Sequence, residues 1–88
     1  MLTLQDCISL SELTEEEVDA IAEHEHTPEI VAAEMGHWLV ETEAGERRIK
    51  KMIKEDIDAA QRRGDYRHSA KLKMVLKQFL QDHPEVAD

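Results

Sequence analysis

The chain has 88 residues and a mass of 10.1 kDa, a length that supports one small domain rather than several. Hydrophobic residues make up 41% and charged residues 35%, enough apolar material for a core but no run near the ~20 residues of a membrane span. The single cysteine, Cys7, excludes an intrachain disulfide framework and a cysteine-built zinc site within one chain, and the formal net charge of −9 disfavours nucleic acid as the partner.

The first residues, Met1-Leu2-Thr3-Leu4-Gln5-Asp6, lack the basic region and long apolar run of a signal peptide, so the cytoplasm is the expected compartment. Thr3 to Leu10 reads as a short helical lead-in, with Leu2, Leu4, Ile8, Leu10 and Leu13 inward. Thr14 followed by Glu15-Glu16-Glu17 has the form of a capping box. Its hydroxyl can accept from the Glu17 amide while the Glu17 carboxylate reaches back, and three acids suit the positive end of the helix dipole. Val18, Ile21 and Ala22 give this first helix its apolar stripe, and His24 and His26 lie near its carboxyl end.

Thr27-Pro28-Glu29 restarts the chain, with Thr27 as the expected cap and Pro28 at the first helical position. In the second helix Ile30, Val31, Met35, Trp38 and Leu39 are expected to form a broad buried face. Gly36 costs about 1 kcal/mol relative to alanine in mid-helix, so Ala32-x-x-x-Gly36 predicts close approach of another helix or chain. Gly45 is read as the left-handed residue that closes this segment.

The third helix carries Ile49, Met52, Ile53, Ile57 and Ala60 on one stripe. Glu43 with Arg47 and Glu46 with Lys50 are i, i+4 pairs in the favourable order. Arg62-Arg63-Gly64 is a stop signal. Asp65 caps a fourth helix with Leu72, Val75, Leu76, Phe79 and Leu80 inward, ended by Asp82-His83-Pro84. The expected fold is all-α: a single domain, 1–88, of about four short antiparallel helices. It divides into an acidic half over 1–45, a basic helical hairpin over 46–83 and a frayed tail over 84–88.

Charge is lopsided along the chain. Residues 1–46 contain thirteen acids and no Lys or Arg, for a formal −13, and all eleven cations fall after Glu46, for +4 over 47–88. Such a split orients encounters with charged partners, or else sets one half of the fold against the other.

Three constellations come nearest to chemistry. The set most like a site is His24-Glu25-His26 together with Glu34, His37 and Glu41. His24 and His26 fall on opposite sides of a helix and cannot chelate one ion unless its end unwinds. Glu34, His37 and Glu41, by contrast, share a helical face, and Glu-x-x-His is the ligand pair of ferritin-like bundles, which need a second copy from another helix. A metal site shared across a dimer is therefore one alternative, although the preferred reading has no metal and no cofactor. Arg47, Arg48, Lys50, Lys51, Lys54, Arg62, Arg63 and Arg67 form a basic face, with Lys71, Lys73 and Lys77 beyond it, and a nucleic-acid-associated factor is the second alternative. Cys7 sits among acids that raise a thiol pKa, and no phosphate-cradling glycine loop or Ser/His/Asp signature occurs, so catalysis is not expected.

The segment from Ile53 to Leu72 resembles the helical hairpins of UVR-type motifs, in which an alanine-containing helix turns through an acidic–aromatic pair (here Asp65-Tyr66) into a second helix with alanine and leucine. Lys73 stands where those hairpins commonly carry arginine. The resemblance implies docking to another protein's helices.

The function expected from these features is that of a non-catalytic protein-interaction or regulatory module, of a small bacterial type, that self-associates. Ala32, Gly36 and Trp38 are expected at or near the contact, since Trp38 is the largest apolar side chain in a mostly aliphatic chain.

Overall fold

A computed structural model describes residues 13–87. The expected lead-in helix and Cys7 lie outside the described residues. Four helices follow one another: α1 (Glu15–Glu25), α2 (Glu29–Leu39), α3 (Glu43–Arg62) and α4 (Tyr66–Asp82), and a 3-10 turn, Pro84–Val86, ends the fold. No strand occurs among the described residues, and the molecule is a small all-α bundle.

The local signals at the helix ends explain most of these boundaries. Thr14 Oγ1 accepts from the Glu17 amide at 3.2 Å, and the Thr14 amide donates to Glu17 Oε1 at 2.8 Å, closing the capping box. Thr42 starts α3 by accepting from the Gly45 amide at 3.0 Å, and Asp65 starts α4 by accepting from the His68 amide at 3.1 Å. Gly64, at φ 78°, supplies the left-handed turn of the α3–α4 hairpin.

α3 and α4 pack along their lengths as a hairpin, α1 lies on α3 and touches α4, and α2 lies on α1 and α3. The core is aliphatic apart from Phe79. Ile49, Met52, Ile53 and Ala60 of α3 meet Leu72, Val75 and Phe79 of α4, and Val18, Ala20 and Ile21 of α1 close over them. Ile57 is buried too, whereas Leu76 and Leu80, expected as full core members, pack half-buried at its edge.

Five expectations need correction. The largest concerns α2, whose buried residues are Ala32, Ala33 and Gly36. Ile30, Met35 and Leu39 are half-buried, Val31 is 42% exposed and Trp38 is 78% exposed. Small side chains let α2 approach its neighbours closely, so the large ones are left on its margins and outer side. The close approach at Gly36 is internal: an added Cβ would overlap Leu13 Cδ1 and come within 3.2 Å of Ile21 Cδ1.

Gly45 does not end α2. It lies in the first turn of α3, where a Cβ would overlap the backbone carbonyl of Leu39. Pro28 rather than Thr27 occupies the N-cap of α2, with no side-chain cap. The described part of the tail, 84–87, does not fray: Val86 is fully buried, and Lys50 Nζ donates to its carbonyl at 2.7 Å. A valine with an apolar pocket to fill folds the last residues back onto α3. The acidic-to-basic boundary also falls inside α3, because that helix begins at Glu43.

Candidate functional site

The residues singled out from sequence separate in space. Glu34, His37 and Glu41 are all exposed, and His37 Nε2 stands 4.0 Å from Glu41 Oε1. Among the described residues no three His, Cys, Asp or Glu side chains converge to hold a metal. Ala32 and Gly36 are buried inside the bundle, whereas Trp38 points outward. Of the basic face, Arg48, Lys51, Lys54, Arg62, Arg63 and Arg67 are exposed. Arg47 bonds Glu43 at 2.7 Å across one turn, and Lys50 is drawn toward the tail by the Val86 carbonyl.

Two features stand out instead, of which the sequence pointed only to Trp38 in the first and to His24 and Glu25 in the second. The first is the outer side of α2. Val31, Met35 and Trp38 lie at i, i+4 and i+7 and form one stripe. Glu34 borders it one turn from both Val31 and Trp38, whereas Glu41 lies in the turn after α2 and so does not share the helical face expected for it. A helix apolar on both sides normally has both covered, and here the inner side alone is sealed by the described residues.

The second is a pair of acid–imidazole clusters, one toward each end of α1. Toward its carboxyl end, His24 Nε2 lies 2.8 Å from Glu55 Oε1 and Nδ1 lies 2.7 Å from Glu25 Oε2, while His68 Nε2 lies 2.6 Å from Glu23 Oε1. Among them sits Asp56, only 4% exposed, whose Oδ2 has no hydrogen-bond partner among the described residues. Burial raises the Asp56 pKa to about 7; the Glu23 charge adds to this, His24 and His68 oppose it, and Glu55 adds again. Burial works against a charged His24, but its contacts with Glu25 and Glu55, with the Asp56 charge, outweigh that and raise its pKa. A shallow groove of about 440 Å³ runs beside this cluster, with His24, Glu25 and Glu55 facing Arg48 and Lys51.

Near the amino end of α1, His83 stacks on Phe79 with ring centroids 4.3 Å apart. Its Nδ1 is 3.0 Å from the Phe79 carbonyl, which can only accept, so Nδ1 carries the hydrogen. Nε2 then faces Glu46 Oε2 at 3.7 Å. Burial raises the Glu46 pKa, helped by the hydrogen bond it shares with Glu85. Fully buried Glu17 lies in the same region; its pKa is raised by burial against the opposing pull of the Thr14 amide.

No protein-family model, curated protein or solved structure matches the chain. The likeness of the α3–α4 hairpin to UVR-type motifs therefore rests on the hairpin residues alone. No helix among the described residues is long and apolar enough to cross a membrane.

Proposed function

We propose that this chain is a non-catalytic protein-interaction module that self-associates through the outer side of α2. The observation that carries the reading is Trp38, 78% exposed on a stripe with Val31 and Met35. A tryptophan offers on the order of 150–250 Å² of contact area and is a typical anchor of protein interfaces. The remaining sequence is consistent with a second copy as the occupant. Glu34 beside the stripe and Glu41 in the turn after it are exposed acids, and the hairpin offers the exposed cations Arg48, Lys51 and Lys54. Charge of opposite sign on two faces of the same chain orients one copy on another, while the apolar stripe supplies the affinity.

Sedimentation equilibrium at micromolar concentration tests this. The expected result is a mass at a whole multiple of 10.1 kDa that falls to the monomer in Trp38→Ala combined with Val31→Ala. The melting temperature of the dilute protein should stay within a few degrees, because neither side chain belongs to the core. A wild-type monomer overturns self-association, and an oligomer that survives the double substitution overturns the α2 surface.

A further inference from the structure

The carboxyl-terminal cluster of α1 lies on the seam between helices. His24–Glu55 ties α1 to α3, and Glu23–His68 ties α1 to α4. Asp56 of α3 sits between these two ties, buried, with an oxygen that no described residue satisfies. The charged and titratable groups that bear on it are Glu23 and His24 from α1, His68 from α4 and Glu55 from its own helix. The donors are not arranged to hold a metal ion, but carboxylates and imidazoles facing one another across a buried seam are well placed to hold protons.

We propose that this seam is a proton-operated latch: with Asp56 neutral and His24 charged, α1 is clamped to the α3–α4 hairpin, and loss of those protons loosens it. A carboxylate ionised in a buried, partnerless position is costly; the like charges of Glu23 and Glu55 add to that cost, and the pull of His24 and His68 offsets it only in part. A neutral imidazole forms a weaker tie to Glu55 than an imidazolium does. Each loss weakens the seam, and the two are coupled, since a charged Asp56 helps His24 keep its proton. The latch is independent of how the outer side of α2 is used.

The direction with pH follows from linkage. The Asp56 pKa is raised from 3.8 to about 7 in the fold, so the folded state holds a proton that the unfolded state releases. Stability therefore falls as pH rises from the ordinary carboxylate range to about 7 and does not recover above it. The raised His24 pKa acts in the same sense, with stability lost as pH rises through its folded value.

Between pH 6 and 8 the Asp56 proton alone should lower the folding equilibrium constant about tenfold. Three measurements on the full chain test the proposal. In denaturant unfolding, Asp56→Asn should flatten the wild-type decline and be the more stable protein at pH 8. The Asp56 carboxyl carbon in wild-type protein, followed by NMR, should titrate near 7 rather than near the ordinary value. Hydrogen exchange, corrected for its intrinsic pH dependence, should show α1 amides losing protection by pH 8 while the α3–α4 hairpin keeps its own. Parallel pH profiles for wild type and Asp56→Asn overturn the proposal. So does a carboxyl titration near 4, which needs no variant to fold. Protection lost equally from α1 and the hairpin also overturns the latch, since the proton would then act on the whole fold.

Discussion

Gly36 and Glu17 show how far single residues in this chain depend on their neighbours. Glycine at 36 is explained by Leu13 and Ile21, whose side chains occupy the space a Cβ would take. Gly36→Leu gains helix propensity of somewhat under 1 kcal/mol but must displace both side chains, and overpacking of this kind costs about 1–3 kcal/mol. Denaturant unfolding should show a net loss of stability, and an unchanged midpoint would mean that Leu13 does not fill that space. Glu17 combines two roles that usually conflict. Its carboxylate accepts the Thr14 amide in the capping box and is fully buried, with Oε2 unpartnered among the described residues. A cap is normally placed at a solvated helix end; here Glu15 and Glu16 are exposed while the capping Glu17 turns its side chain into the bundle.

At the scale of elements, the 3-10 turn Pro84–Val86 completes the α3–α4 hairpin rather than trailing from it. Pro84 prevents α4 from continuing, His83 stacks on Phe79, and the chain turns so that Val86 reaches the core. Lys50 holds the turn by its hydrogen bond to the Val86 carbonyl. Removing two methyl groups at a fully buried valine should cost about 2 kcal/mol of stability for Val86→Ala. Thermal unfolding checks it: a fall in melting temperature of a few degrees is expected, and no change would leave the turn without an energetic part in the fold. α2 is the opposite kind of element. Its inner side is built of small residues, so its close fit adds little apolar area, and its large side chains are spent on the surface.

For the whole molecule, the acidic and basic parts meet where α1 packs on the hairpin, with His24–Glu55 joining α1 to α3 and Glu23–His68 joining α1 to α4. Most of the hairpin's cations stay on the exposed surface. An oligomer oriented by those cations and held by the α2 stripe should respond only modestly to salt. At 0.5 M salt the Debye length is about 4–5 Å, and exposed ion pairs contribute about 0–1 kcal/mol each. The dissociation constant should therefore rise by no more than roughly tenfold in sedimentation runs at 0.05 and 0.5 M salt. A change of a thousandfold would make charge, rather than Trp38, the source of affinity.

The helices themselves were legible in the residues. Apolar spacing from Ile49 to Ala60, the Thr14 and Asp65 caps and the stop at Gly64 are local signals, set by interactions within a few residues of each other, and the fold uses them as read. The all-α class follows from that locality. What the local pattern could not decide is which side of an element faces inward when both sides are apolar. α2 is such a case: hydrophobicity alone pointed Val31 and Trp38 at the core, and only the close approach of Leu13 and Ile21 to Gly36 turned the small side in. The same limit hid the Asp56 cluster. Glu23, His24, Asp56 and His68 come from three helices far apart in the chain, and the burial that shifts Asp56 exists only once those helices are packed.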